Sequence, residues 1–212
     1  MPDFAAFWDK RAASYDAQSV RQKGPNYAAR LARAGEVWGP GDHVLDIGCA
    51  SGEITLDLAG RVGSIHGIDV SAKLIALARA KAAQRGVTDV RFDVLDAADP
   101  SLAPESYDGI TAYSVMHLVA DVAGFAQRAH ALLKPGGHFI SETPCLGDWG
   151  WYWGLVIPLV RAVGMAPPVV HRLRHREVEA ILADAGFEIL DSRIYNARSG
   201  QHHILARKAA SR

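Results

Sequence analysis

The sequence predicts an α/β domain in which helices cover both faces of a mostly parallel sheet. Strand and helix signals alternate along the chain, as they do in parallel sheets. A run of small residues at 48–52 follows the first strand, where the chain must turn sharply into a helix, and acidic residues stand at the ends of three successive strands. The 212 residues suffice for a substantial core, so residues 1–212 are predicted to form a single domain.

The predicted elements follow one another without internal repeats. An N-terminal helical cap (1–36, with its helical signal over about 4–36) comes first. Strands are predicted at 42–47, 64–69, 89–94, 107–113, 138–143, 187–195 and 202–206. Helices are predicted from about Gly52 and at 71–85, 121–133 and 175–185, with stops at Gly86, at Lys134-Pro135-Gly136-Gly137 and at Gly186.

The segment from Val44 to Gly52 carries the most information. Asp46 lies among apolar residues of the first strand, and Gly48, Ala50 and Gly52 form the small-residue turn. Small residues let a ligand approach the backbone, and an acid at a strand end can hold ammonium or hydroxyl groups. An alanine in a left-handed conformation is strained, so Ala50 is expected to cost stability if the turn requires that conformation.

Two further acids end the next two strands, at Asp69 and Asp96. Because the carboxyl ends of parallel strands meet at one edge, where ligands bind, both are expected to face the small-residue turn. Asp69 can accept both hydroxyls of a ribose; alternatively, Asp69 or Ser71 caps the following helix. Asp96 can accept a hydrogen bond from an exocyclic amine, while Ala97 lies against a ring.

Together these segments resemble the class I methyltransferases that use S-adenosylmethionine, in particular the small-molecule group that includes the ubiquinone/menaquinone C-methylases. The resemblance covers about residues 5–145 and returns at 185–189. It is carried by 44–52, 67–71, 96–97, 106–110 and 132–137. It implies a Rossmann-like class I methyltransferase fold with seven strands, the last antiparallel, and S-adenosyl-L-methionine as the cofactor.

The resemblance also implies roles for individual residues. Asp46 and the glycine turn would hold the methionine half of the cofactor, Asp69 the ribose and Asp96 the adenine amine. Val70 and Ala97 would flank the adenine. The predicted cofactor-binding residues are Tyr15, Asp46, Gly48, Cys49, Ala50, Gly52, Asp69, Val70, Asp96, Ala97, Tyr113 and Ser114.

The N-terminal segment from Trp8 to Asp16 is similar to the family's cofactor-covering segment, which would place Tyr15 over the methionine end. An aromatic ring beside a sulfonium gains about 0.5–2 kcal/mol of cation–π attraction. The alternative is that the aromatic residues only pin a helix to the sheet, and this interpretation is favoured for Phe4 and Phe7.

In-line methyl transfer depends mainly on holding the acceptor in line with the S–CH3 bond, and orientation of this kind supplies about 7–11 kcal/mol. A base is needed only when the acceptor must lose a proton. The candidate catalytic residues are Tyr113 and His117. The unperturbed pKa of a histidine lies near neutrality, so His117 would be the general base, but the sequence favours a half-buried histidine that organises its loop.

Residues 144–170 form an aromatic-rich insertion, longer than an ordinary connection. It is predicted to be a substrate lid for an apolar or aromatic acceptor, with dimerisation through exposed aromatic residues as the competing explanation. The predicted substrate residues are Trp149, Trp151 and Trp153, together with Glu142 at the end of the fifth strand. A solvent-facing or capping role is the favoured alternative for Glu142.

Bulk properties exclude other classes. The 23 Lys and Arg balance the 23 Asp and Glu, so no general field attracts nucleic acid or an anionic membrane. Cys49 and Cys145 are the only cysteines, which favours a reducing cytoplasm, and neither a signal sequence nor a membrane span is predicted. No metal site is expected, because the adjacent His202 and His203 point to opposite faces of a strand. The predicted assembly is a monomer, or a homodimer formed through the insertion.

Two alternative functions remain open. A non-catalytic protein that binds S-adenosylmethionine or a nucleotide would carry the same acids, although it would have little use for an aromatic pocket. An NAD-binding enzyme is less favoured, because Glu53 stands where the dinucleotide fingerprint requires a small residue.

Overall fold

The computed structural model describes residues 4–21, 25–150, 152–196 and 200–210. Seven strands form one sheet: β1 (His43–Ile47), β2 (Ser64–Asp69), β3 (Val90–Val94), β4 (Tyr107–Tyr113), β5 (Leu133–Pro144), β6 (Phe187–Asn196) and β7 (Gln201–Lys208). Their order is β3-β2-β1-β4-β5-β7-β6. The neighbours from β3 to β5 pair in parallel, whereas β7 pairs antiparallel with both β5 and β6. The predicted α/β class and the antiparallel last strand are confirmed.

Helices cover both faces of this sheet. They are α1 (Phe4–Arg21), α2 (Pro25–Val37), α3 (Glu53–Leu58), α4 (Ala72–Arg85), α5 (Val122–Leu132), α6 (Trp153–Ala162) and α7 (His175–Asp184). Successive side chains of a strand point to opposite faces. Accordingly, Val44 packs on one face with Leu58 of α3 and with Trp38, which follows α2. The adjacent Leu45 packs on the other face with Ala126 of α5 and Val178 of α7.

Three local features differ from the predictions. The N-terminal helical region is divided into α1 and α2. β5 begins at Leu133 instead of 138, because Leu133 already pairs with Tyr107 before an irregularity in the register. The insertion contains a helix of its own, α6, with Pro158 inside it.

The strand order positions the site. β2 and β3 lie on one side of β1, and β4 lies on the other, so the winding direction reverses beside β1. In open α/β sheets, ligands bind outside the carboxyl ends of the strands at such a reversal. The turn after Ile47 stands at this point.

Candidate functional site

A cavity of about 440 Å³ opens at the carboxyl edge of the sheet, a volume within the usual range for small-molecule sites. It draws its wall from α1, from the turns after β1 and β2, and from the segments that follow β3 and β4. Nine of the predicted cofactor-binding residues line it: Tyr15, Gly48, Ala50, Asp69, Val70, Asp96, Ala97, Tyr113 and Ser114. The structure therefore brings together residues from five separate parts of the sequence.

The turn after β1 is held in a conformation that few residues tolerate. Gly48 has a φ of 71°, and a Cβ there would lie 2.4 Å from Cγ2 of Val115. The Gly48 and Cys49 N–H groups donate to the Ile68 carbonyl oxygen at 2.8 and 3.0 Å. Ala50 has a φ of 51°, in the left-handed region where an alanine methyl is strained. The strain expected for Ala50 is therefore present.

Asp69 links this turn to the next one. One carboxylate oxygen accepts the Ala50 N–H at 3.1 Å, and the other accepts the Ser71 N–H at 2.8 Å. Burial raises the pKa of this carboxyl, against the lowering effect of the two N–H groups. The N-cap of α4 is Ser71, whose hydroxyl accepts the Leu74 N–H at 3.2 Å. A carboxylate has about four acceptor positions, so Asp69 keeps room for two ligand hydroxyls.

Asp96 is exposed on the cavity wall, and its carboxylate accepts the Ala98 N–H at 2.8 Å. Arg128 holds the same loop in place by donating to the carbonyl oxygens of Ala97, Asp99 and Leu102 at 3.2, 2.9 and 2.7 Å. The loop after β3 is thus fixed by α5, with Asp96 at the cavity, and a carboxylate has further acceptor positions for a ligand donor.

Asp46 lies inside the protein and outside the cavity lining. Its carboxylate accepts hydrogen bonds from the Thr55 and Thr111 hydroxyls at 2.5 and 2.7 Å. Burial raises its pKa to about 6, and the two hydroxyls oppose this shift. Asp46 therefore joins β1 to α3 and β4. Cys49 and Gly52, two other predicted cofactor residues, are likewise absent from the cavity lining.

One face of α1 closes the cavity. Phe4, Trp8 and Tyr15 line it, and the rings of Trp8 and Tyr15 meet edge to face at 5.7 Å. The Asp9 carboxylate fixes the helix to α4 by accepting the Ser71 hydroxyl at 2.5 Å and the Lys73 N–H at 3.1 Å. Phe4 was expected only to pin a helix, and Trp8 was not predicted. Their spacing from Tyr15 places all three on one helical face, a signal the sequence contained.

His117 does not reach the cavity lining. It lies in a single-turn helix (Met116–Leu118) with a side chain that is 9% exposed. Burial and the neighbouring His171 lower its pKa to about 4, so the imidazole is neutral at pH 7. Its carbonyl oxygen accepts the His171 N–H at 2.8 Å. These contacts agree with a histidine that organises its loop.

Glu142 is fully buried, so the favoured solvent-facing role is wrong. Arg30 of α2 forms an ion pair with it, and Nε of Arg30 lies 3.0 Å from Oε2 of Glu142. The Arg30 guanidinium also lies over the Tyr113 ring, 5.1 Å from its centre. Glu142 thus supports Tyr113, which lines the cavity, and is itself outside the lining. Arg30 was missed because its partner is 112 residues away.

The insertion tryptophans are packed against one another. The rings of Trp149 and Trp153 lie 5.5 Å apart, and neither residue lines the cavity. Trp151 falls outside the described residues. Directly after the insertion, Nε2 of His171 donates to the carbonyl oxygen of Val119, a residue of the cavity wall, at 2.9 Å.

One side of α6 is exposed to solvent. Leu155 and Leu159 of α6, together with Val163 and Met165 just after it, are 61–71% exposed. The Arg11 side chain of α1 donates to the Gly164 carbonyl oxygen, which joins the helical cap to the insertion. Within the described ranges, no helix combines the length and the apolar character that crossing a bilayer requires.

The residues at the cavity fit S-adenosylmethionine, the cofactor that the sequence resemblance implies. Asp69 has acceptor positions left for ribose hydroxyls, and Asp96 is exposed at the next strand end. Gly48 lines the cavity beside them, and a side chain at this position would collide with Val115. Tyr15 supplies an aromatic ring on the opposite wall.

The chain belongs to a methyltransferase family: residues 39–180 match the family described as "Methyltransferase domain". Among curated proteins, it is 35% identical over 150 residues to the nocamycin O-methyltransferase of Saccharothrix syringae, covering 67% of this chain and 52% of that protein. It is 32% identical over 172 residues to a ubiquinone biosynthesis O-methyltransferase of Paramagnetospirillum magneticum, covering 77% of this chain and 67% of that protein. The chain therefore spans about half the length of the first relative.

A solved structure is similar over nearly the whole chain. It comes from the complex between the Trm112 methyltransferase activator of Haloferax volcanii and a protein described as a methyltransferase, with a TM-score of 0.80, 18% identity and 99% of both chains covered. At this identity the match establishes the shared fold, and the arrangement expected from the sequence resemblance is confirmed.

Proposed function

We propose that this protein is an S-adenosylmethionine-dependent methyltransferase that acts on a small apolar or aromatic molecule. The observation that carries the proposal is the cavity formed by Asp69 and Asp96 at successive strand ends and closed by Tyr15. The family membership and the curated O-methyltransferase relatives support the same activity.

The cavity residues divide the cofactor between them in this proposal. Asp69 binds the ribose hydroxyls, and Asp96 accepts a hydrogen bond from the adenine amine. Val70 and Ala97 flank the adenine ring. The turn at Gly48 and Ala50, with Tyr15 above it, holds the methionine end. Asp46, Cys49 and Gly52 act by fixing the shape of that turn, since they do not line the cavity.

The acceptor's chemistry follows from the wall beyond Tyr113. This part of the cavity consists mostly of apolar side chains, namely Val115, Leu118, Val119 and Phe125, with Asp121 at its edge. An apolar or aromatic acceptor gains from burying its surface there. The 144–170 insertion acts as an outer wall through the contact of Gly164 with α1 and through His171, which directly follows it, rather than through Trp149 or Trp153.

The bound cofactor supplies a methyl group already activated by a positively charged sulfur. The protein's part is to hold the acceptor atom in line with the methyl group and to exclude water. Orientation of this kind alone lowers the barrier by about 7–11 kcal/mol. Tyr113 and Ser114 line the cavity, so Tyr113 is the candidate for contacting the reacting atom of the acceptor. His117 has no direct part in this scheme.

Two buried free cysteines, Cys49 and Cys145, support a reducing compartment, and we place the protein in the cytoplasm. The exposed apolar face of α6 supports a homodimer over a monomer, since patches of this kind mark interaction sites.

The direct test incubates the protein with S-adenosylmethionine and a panel of phenols, quinols and aromatic acids. We expect formation of S-adenosylhomocysteine that depends on one class of acceptor, with a matching gain of one methyl group in that acceptor. Asp69→Ala should lose this activity, whereas Asp89→Ala, an exposed acid at the opposite edge of the sheet, should keep it. Tight cofactor binding without turnover of any acceptor would favour the non-catalytic alternative.

A further inference from the structure

A second group of chemically reactive side chains lies apart from the cavity, at the base of the insertion. Cys145 follows β5, Asp148 lies in a single-turn helix (Leu146–Asp148), and His175 begins α7. One ligand atom from each residue lies within 4.8 Å of the others. None of the three lines the cavity. They come from opposite ends of the insertion and meet only in the folded chain.

We propose that Cys145, Asp148 and His175 bind a zinc ion that joins the two ends of the insertion. Thiolate, imidazole and carboxylate are the ligands that zinc uses in proteins, and three protein ligands leave a fourth position for water. A thiolate ligand disfavours magnesium and calcium, which prefer oxygen.

The spacing of the three groups suits such an ion. Ligand atoms of a tetrahedral zinc site stand about 3.3–3.8 Å apart, since each lies about 2.0–2.3 Å from the metal. The three ligand atoms in this protein lie within 4.8 Å of one another, so their separations exceed those of a zinc site by at most about 1 Å. Nδ1 of His175 lies 2.5 Å from Oδ2 of Asp148, which is about 1 Å less than the distance between two ligand atoms of a zinc site. Movements of about 1 Å in these side chains are therefore enough to form the site.

The local hydrogen bonds already hold these residues in place. The Asp148 carboxylate accepts the His175 backbone N–H at 2.9 Å, and the Gly147 N–H donates to the Leu173 carbonyl oxygen at 2.9 Å. The start of α7 is thereby tied to the segment after β5. Preorganised ligands of this kind reduce the cost of assembling a metal site.

An independent observation comes from the imidazole nitrogens. Among the residues that the structure describes, Nε2 of His175 is buried without a hydrogen-bond partner, and so is Nδ1 of the adjacent His202. The two rings meet edge to face at 4.9 Å. Buried polar atoms without partners are uncommon in native proteins and often indicate a missing ion or water. The unpartnered nitrogen of His175, a residue of the cluster, therefore supports a cation at this place.

The same three residue types also occur in nucleophilic sites, but the environment of Cys145 argues against that role. Its side chain is fully buried. Reactive cysteines have lowered pKa values and partial exposure. A small cation can still enter from the surface pocket lined by Asp148, Arg174, His175, Arg176 and Glu177.

The test is metal binding by the full-length chain after treatment with a chelator. We expect one equivalent of Zn²⁺ to bind in competition with a chromophoric chelator, and Co²⁺ to give a thiolate-to-metal charge-transfer band. Cys145→Ser should abolish that band, and His175→Ala should weaken zinc binding at least about tenfold. Cys49→Ser should retain both properties, because Cys49 is the matched buried cysteine outside the cluster.

Thermal unfolding provides a second measurement. Zinc should raise the Tm of the native sequence and of Cys49→Ser, and raise that of Asp148→Asn and His175→Ala less, since an ion that binds only the folded state stabilises it in proportion to its affinity. Circular dichroism establishes that each variant is folded. Absence of zinc binding by the native sequence would overturn the proposal, and so would binding that is unaffected by Cys145→Ser and His175→Ala. Cofactor binding is measured separately, so failure here leaves the methyltransferase proposal intact.

Discussion

The Asp69 carboxylate accepts the backbone N–H of Ala50 at 3.1 Å, which ties the end of β2 to the turn after β1. This bond couples the two turns that form the floor of the cavity. It also helps to hold Ala50 at a φ of 51°, a conformation that an alanine does not adopt without cost. The stability of the turn therefore depends on Ala50, and the binding of the cofactor depends on Asp69, its hydrogen-bond partner.

Ala50→Gly should stabilise the protein. Glycine removes the left-handed strain of about 1–2 kcal/mol, and its greater chain entropy cancels part of the gain, so we expect about 0.5–1 kcal/mol in the free energy of unfolding. Urea unfolding measures this. The matched control is Ala76→Gly on the exposed side of α4, which should lower stability by about 1 kcal/mol. Equal losses in both variants would show that Ala50 is unstrained in solution.

Asp69→Ala should weaken S-adenosylmethionine binding tenfold or more. The variant removes hydrogen bonds from a charged acceptor to the ribose hydroxyls, worth about 1.5–3 kcal/mol. Titration calorimetry gives the affinity directly, with Asp89→Ala as the matched control at the far edge of the sheet. An Asp69→Ala protein with native affinity would refute the ribose assignment.

Asp46→Asn should change how stability depends on pH. Burial raises the folded-state pKa of Asp46 from 3.8 to about 6, so folding favours its protonated form. The contribution of Asp46 to the free energy of unfolding is fully present below about pH 4. It is lost as the pH rises through 6, and the loss reaches about 3 kcal/mol. Asparagine does not titrate and avoids this loss.

The variant should therefore gain stability relative to the native sequence between pH 5 and pH 7.5, which urea unfolding at the two pH values can measure. Other titrating groups cancel in this comparison. A difference between the two proteins that is the same at both pH values would mean that Asp46 titrates normally.

Arg30→Met should destabilise the protein by about 3–5 kcal/mol, because it leaves the buried Glu142 carboxylate without its partner. Adding Glu142→Gln to this variant should restore a large part of the loss, since the uncompensated charge is removed. The exposed pair of Arg207 and Glu188 supplies the control, and Arg207→Met should cost less than about 1 kcal/mol. Additive effects of Arg30→Met and Glu142→Gln in the double variant would contradict the coupling.

Much of the sheet was predictable because its signals are local. The apolar run around Leu45, the stop at Gly86 and the acid after Ile68 each report on a few neighbouring residues. The cavity could be assembled from these signals because parallel strands bring their carboxyl ends together. Asp69, Asp96 and Tyr15 line one cavity.

The remaining features depend on distant partners. Nothing near Glu142 in the sequence identifies Arg30 as its partner, and the burial of Asp46 follows from Thr55 and Thr111 on two other elements. The tryptophans of the insertion predicted an aromatic pocket, whereas Trp149 and Trp153 pack on each other. Aromatic composition indicates burial but does not specify the surface that provides it.

The most direct test of the central claim is a crystal structure of the protein with S-adenosylhomocysteine. The account predicts density for the adenosyl group in the cavity, with both ribose hydroxyls donating to Asp69 and the adenine amine donating to Asp96. Density for the ligand elsewhere, or an empty cavity at a saturating ligand concentration, would contradict it.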